Sequence, residues 1–247
     1  AYWESDLPPS PAELLELLQD ADGALTLLTD RIDGDVLDQL PGLKVVSNLA
    51  VGFDNIDVGA ATDRGVAVCT TPDVLTDATA EFALSLIFAA ARQVVAGERA
   101  ARGGDWLTWY PMRFLGIGLK GAHLGIVGLG RIGKRTAELA QAIGMRVSYY
   151  DPSAEDERFE RQPLDELLAS ADIVSMHTPL LESTRGLINR EHIGLMRDDA
   201  ILVNTARGPI VDTAALVEAL EQGKLRAVAL DVTDPEPLPP DHALYGF

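Results

Sequence analysis

Leucines recur at helical spacing over residues 12–19, behind the start signal Ser10-Pro11. Short apolar runs at 24–28, 43–47 and 66–69 read as strands, and 35–40 as a short helix stopped by Pro41. This alternation predicts a small first α/β domain. Residues 77–102 form one long helical pattern, apolar nearly all round in its middle, which predicts a helix buried between layers. Gly103-Gly104 closes it, and 105–120, with Trp106, Trp109 and Pro111, reads as a covering loop.

From residue 123 the rhythm becomes regular. Strands are predicted at 123–127, 147–150, 173–176, 201–204 and 227–231, with helices at 131–143, 164–169, 190–196 and 213–222. Repeated βαβ units imply a parallel sheet with helices on both faces. The fold class is therefore α/β, with two Rossmann-like lobes and a cleft between them. Residues 1–76 form the smaller and 77–247 the larger, a doubly wound sheet.

Composition narrows the function. The chain has 247 residues, 47% of them hydrophobic, so a disordered tail is excluded and a large core is available. Its formal charge of −18 repels phosphate backbones and anionic lipid, so neither nucleic acid nor a membrane surface is expected as a partner. No apolar run approaches the roughly 20 residues that span a bilayer. Cys69 is the single cysteine, which excludes an internal disulfide and a cysteine-built metal cage, and a reduced, cytoplasmic setting is expected.

The chemistry gathers at strand ends. Gly128-Leu129-Gly130-Arg131-Ile132-Gly133 follows an apolar strand and opens an amphipathic helix. In that context Gly128 allows a tight turn, Gly130 lets backbone approach a pyrophosphate, and Gly133 packs helix on strand. The helix N-terminus offers free N–H groups to the phosphates. An ordinary βα turn is the alternative. Asp151, at the end of the next strand, is placed to accept both adenosine ribose hydroxyls and to repel a 2′-phosphate, which favours NAD without excluding NADP. A plain loop cap is the alternative there. Arg207 ends another apolar strand, where a guanidinium can clamp a carboxylate through two parallel hydrogen bonds. Glu236, between two prolines, can orient an imidazole or be a solvated loop acid.

These motifs, with His177-Thr178-Pro179-Leu180, the 51–57 segment Val-Gly-Phe-Asp-Asn-Ile-Asp, the 71–81 segment and Asp-Val-Thr-Asp-Pro-Glu-Pro at 231–237, resemble the D-isomer-specific 2-hydroxyacid dehydrogenases. They run in the family's order over essentially the whole chain. Gly-Gly-Asp-Trp-Leu-Thr-Trp at 103–109 and the 231–242 segment most resemble its glyoxylate/hydroxypyruvate reductases.

The resemblance implies NAD(P)H-dependent reduction of a small anionic 2-keto acid to the D-2-hydroxy acid. It implies that Val51 and Gly52 offer backbone N–H groups to the substrate carboxylate, and that Arg207 binds it and polarises the keto oxygen. Glu236 would pair with a catalytic histidine. Thr79, Arg131, Ile132, Asp151, Thr178, Pro179, Thr205, Ala206 and Asp231 match cofactor-lining positions. The long helix and the loop of Trp106 and Trp109 match a homodimer interface.

The family's histidine lies in a Pro-His-(Ile/Leu)-Gly segment downstream of the glutamate. The sequence stops at Phe247 before reaching it, and His123, His177, His192 and His242 do not replace it. The first strand of the smaller domain is likewise expected before Ala1. Two rival readings share the motifs: an NAD-sensing, corepressor-like binding module, and a 3-phosphoglycerate dehydrogenase. The second would want additional basic residues for a substrate phosphate.

Overall fold

In the computed structural model, which describes residues 1–247, Ser10 caps α1 (Pro11–Leu18) through a reciprocal capping box with Glu13. β1 (Gly23–Thr26), α2 (Gly34–Asp38), β2 (Val45–Asn48), α3 (Val58–Asp63) and β3 (Ala67–Cys69) follow. The strands form a parallel sheet in the order β1-β2-β3. Leu14, Leu18, Ile32, Leu37, Val46, Ile56 and Val66 make its core. α3 escaped the apolar pattern because Val-Gly-Ala-Ala-Thr-Asp carries little of it; Asp57, whose side chain accepts from the Ala60 N–H, starts the helix.

The chain divides into this unit, Ala1–Leu75, and a second, Thr76–Phe247. The second unit begins with α4 (Thr76–Ala91) and α5 (Val94–Arg102). It continues with β4 (His123–Val127), α6 (Arg131–Ala142), β5 (Arg146–Tyr150), β6 (Glu160–Arg161) and α7 (Leu164–Ser170). β7 (Ile173–Met176), α8 (Arg190–Leu195), β8 (Ile201–Asn204), α9 (Thr213–Glu221) and β9 (Ala227–Leu230) complete it. Six parallel strands lie in the order β6-β5-β4-β7-β8-β9. The order reverses at β4, and the crevice at its carboxyl end is where open α/β sheets bind ligands.

Residues alternate between two cores. Val174, Met176 and Leu202 pack with Leu167, Ile193 and Leu216, while Ile126, Ile173, Ile201 and Val203 pack with Ile87, Ala137 and Ala140. β4, β7 and β8 are buried at every position, which explains their near-continuous apolar sequence.

One expectation is corrected. The helical pattern over 77–102 is two helices, bent by 60°. Gln93 takes a left-handed conformation (φ 53°), and its Nε2 donates to the Leu115 carbonyl over 2.7 Å. The Ile117 N–H takes the Ala91 carbonyl at 2.9 Å, so a distant segment ends α4 where the sequence has neither Gly nor Pro. Nor is the helix buried all round. Ala80, Ala83, Ile87 and Ala91 face the core, whereas Phe82 and Phe88 are exposed. No single helix is long and apolar enough to cross a membrane.

Candidate active site

In the first unit, β2 delivers Asn48 to a loop holding Val51 and Gly52, both half-buried. Asn48 is fully buried; its Nδ2 donates to the Gly52 carbonyl (3.0 Å) and to Asn55 Oδ1 (3.1 Å), and its Oδ1 accepts from Thr26 Oγ1 (3.0 Å). Asn55 Nδ2 in turn donates to the carbonyls of Leu27 and Asp30. Asn48, braced by Asn55, thus anchors this loop at the Gly52 carbonyl. Asn55 stood in the 51–57 motif without a stated role, and Asn48, outside it, was missed by the sequence reading.

In the second unit the parallel strands bring the remaining candidates to one edge. Gly128 leaves β4 with φ 96°, and a Cβ there would meet the Thr178 nitrogen at 2.7 Å. A Cβ on Gly133 would collide with the Gly128 carbonyl oxygen. Gly130 is the N-cap of α6 without a side-chain cap, and a Cβ there would meet nothing within 4 Å. The open space lies over uncapped helix N–H groups, and Arg131 and Ile132 follow in the first turn.

Asp151 closes β5 with both oxygens engaged. Oδ2 accepts the Leu129 N–H (2.8 Å), and Oδ1 accepts those of Ser153 (2.9 Å) and Ala154 (2.7 Å). Burial pushes its pKa up, but the Ala154, Ser153 and Leu129 N–H groups outweigh burial and hold it below the usual carboxylate range. The carboxylate joins the glycine turn to the loop after β5, the loop-cap role that the sequence left open.

After β7, the half-buried His177 lies against the glycine turn: its Cβ would lie 3.1 Å from a Cβ on Gly133. Its Nε2 pairs with Ser175 Oγ at 2.9 Å, and burial pushes its pKa down to about 4. Thr178 is half-buried and Pro179 exposed. Thr79 lies in the first turn of α4.

After β8, Thr205 is buried and its Oγ1 has no hydrogen-bond partner. Buried hydroxyls are seldom left so. Ala206 and Arg207 are half-buried. Asn204, 1% exposed, donates Nδ2 to the Arg207 carbonyl (2.9 Å) and accepts the Ala206 N–H (3.0 Å). A Cβ on Gly208 would collide with the Thr233 carbonyl, so the loops after β8 and β9 pack backbone to backbone.

Asp231 and Glu236 are both exposed after β9, and the Asp231 carboxyl is pushed up by burial and then by the Glu236 charge. Glu236 Oε2 accepts the Thr233 N–H at 3.1 Å. Both carboxylates border an open groove of about 1240 Å³ along edge strand β9, apart from the Gly128 to Gly133 turn.

The second unit fits a dinucleotide on three observations: the open space over Gly130, the uncapped α6 N-terminus and the orphaned Thr205 hydroxyl.

Comparison with known proteins agrees with this geometry. The family model described as "D-isomer specific 2-hydroxyacid dehydrogenase, NAD binding domain" matches residues 84–247. A glyoxylate reductase of Aeropyrum pernix is 50% identical over 99% of this chain and 76% of its own length. A Thermus thermophilus protein of known structure superposes with a TM-score of 0.92 at 50% identity, covering 97% of this chain and 77% of that one. The D-lactate dehydrogenase of Aquifex aeolicus, solved with NAD and lactic acid, gives a TM-score of 0.84 at 31% identity, covering 93% and 68%. With the family model matching most of its second unit and such relatives along nearly its whole length, the chain belongs to the D-isomer-specific 2-hydroxyacid dehydrogenases.

Proposed function

We propose that this protein reduces glyoxylate, and 2-keto acids of similar size such as hydroxypyruvate, to the D-2-hydroxy acid, with NADH preferred over NADPH. The reading rests on the family, on the glyoxylate reductase relatives and, within the chain, on Arg207 at the carboxyl end of β8 beside the orphaned Thr205 hydroxyl. Bound NADH supplies the hydride.

The chain's own residues do the rest. The glycine turn and the α6 N-terminus hold the pyrophosphate, and Thr79, Arg131, Ile132, Thr178, Pro179, Thr205, Ala206 and Asp231 line the cofactor. Asp151 takes the ribose hydroxyls, and its negative charge opposes a 2′-phosphate. The Arg207 guanidinium binds the substrate carboxylate and stabilises charge developing on the keto oxygen. In the first unit, Val51 and Gly52 have backbone N–H groups suited to a carboxylate. Glu236, anchored by the Thr233 N–H, is the partner for a protonated imidazole.

The second unit also serves as the dimer surface. Phe82, Phe88, Val94, Val95, Trp106 and Trp109 are all exposed on α4, α5 and the following loop, apolar side chains suited to cover by a second copy. A sedimentation mass of twice the chain is expected.

Steady-state rates with glyoxylate, hydroxypyruvate and phosphohydroxypyruvate, each with NADH and NADPH, test the reading. The largest kcat/KM is expected for glyoxylate or hydroxypyruvate with NADH. A preference for the phosphorylated acid would overturn it.

A further inference from the structure

The segment after β5 carries an ion network that the dehydrogenase chemistry does not use. Asp156, with a side chain only 8% exposed, pairs with Lys134 Nζ at 2.6 Å and with Arg158 Nη2 at 2.9 Å. Arg158 is bidentate, its Nε also donating to Asp156 Oδ1 at 2.9 Å, and its Nη1 reaches Glu138 Oε1 at 2.9 Å. Glu138 further meets Arg135, which pairs with Asp77. Arg161 is held by the carbonyls of Asp151 and Pro152 and by Glu155.

The network is tied to the ribose-side carboxylate. The Asp156 N–H donates to the Tyr149 hydroxyl, which donates to the Ala154 carbonyl, and the Ala154 N–H donates to Asp151. Two residues of chain span at most about 7 Å. Asp156 therefore lies within about one Debye length, ~8 Å, of a group bonded directly to Asp151.

We propose that Asp156 is a specificity-determining residue for the dinucleotide: on the segment that follows Asp151 and paired with Lys134 and Arg158, it offsets positive charge that would otherwise favour a 2′-phosphate. The inference rests on the reading of Asp151 as the ribose-binding carboxylate. NADP recognition draws on positive charge near the end of this strand. This chain carries positive charge on Lys134 and Arg158, and Asp156, with Glu138, offsets it. With Asp156 neutral, Lys134 loses its carboxylate partner and Arg158 keeps only Glu138, so the repulsion that Asp151 exerts on a phosphate is partly offset.

Fluorescence titration of NADH and NADPH against the full chain gives the ratio of the two dissociation constants without turnover. Asp156→Asn is expected to lower the NADPH-to-NADH ratio about fivefold to tenfold, an effect that fades at high salt. Asp156→Glu, which keeps the charge, is expected to retain the native ratio. Lys134→Met, which leaves Asp156 less neutralised, is expected to raise it, and decides the matter if Asp156→Asn does not fold. An unchanged ratio in folded Asp156→Asn, an equal change in Asp156→Glu, or an unchanged ratio in Lys134→Met overturns the proposal. A native chain that binds NADPH more tightly than NADH instead sinks the reading of Asp151, and this inference with it.

Discussion

The Asn204 side chain closes a small ring on the strand end that bears Arg207, its Nδ2 donating to the Arg207 carbonyl and its Oδ1 accepting from Ala206. The guanidinium is thereby carried on backbone fixed before substrate arrives, and Arg207 Nη1 donates to the Ala206 carbonyl at 2.7 Å. Such preorganised donors dominate charge stabilisation in a water-poor site. Arg207→Ala is expected to lower kcat/KM for glyoxylate on the order of 10²–10³-fold while NADH still binds. Arg207→Lys should recover only part of this, because an ammonium lacks the planar fork. Near-native kcat/KM in Arg207→Ala would remove the residue from the site.

Gly130 and Gly133 lie in one motif but are glycines for different reasons. A Cβ at Gly133 collides with the Gly128 carbonyl, whereas a Cβ at Gly130 meets only open space. Gly133→Ala should therefore lower the melting temperature, by an overpacking cost of about 1–3 kcal/mol. Gly130→Ala should melt close to the native protein yet bind NADH more weakly, since the methyl group fills the space assigned to the pyrophosphate. Equal melting losses in both variants would contradict this division.

Thr205 bears a buried hydroxyl that the chain itself leaves unsatisfied. If a cofactor group completes it, Thr205→Val, nearly isosteric, should raise the NADH dissociation constant about fivefold, the worth of one ordinary hydrogen bond of ~1 kcal/mol. It should not lower the melting temperature without cofactor, because no bond within the protein is lost. A melting loss with unchanged NADH affinity would make the hydroxyl structural.

The centre of the larger sheet was legible because β4, β7 and β8 are buried on both faces, so 123–127, 173–176 and 201–204 could be read directly, whereas the exposed two-residue edge strand β6 carries no apolar pattern and was missed. Arg207, Asp151 and the glycine turn stood out because strand ends in parallel sheets are where chemistry collects. What escaped depends on partners remote in sequence. The α4 to α5 break at Gln93 is imposed by the segment around Leu115 and Ile117. Asn48 and Asn55 act through carbonyls four to 28 residues away. The pairing of Asp156 with Lys134 joins a loop to a helix 22 positions earlier, and no local pattern marks it.

His177 offers a test of the buried scaffold under the cofactor turn. Half-buried against Gly133 and paired with Ser175, it has its pKa pushed down by burial from 6.5 to about 4. Between those values the unfolded chain takes up a proton that the folded chain refuses. Linkage then makes His177's contribution to stability full above pH ~6.5, falling as the pH drops, and exhausted below about 4. The difference amounts to about 3 kcal/mol at most, at 1.36 kcal/mol per unit. In native protein the His177 imidazole resonances should stay at their neutral positions down to pH ~5. His177→Gln should show a shallower loss of melting temperature than native protein between pH 6.5 and 4.5. NADH affinity should carry no titration of this residue between pH 6 and 8, because its charge does not change there. Imidazole resonances that titrate near pH 6.5, or parallel melting curves for the two proteins, would mean that water reaches the ring and that the turn is not built on a neutral histidine.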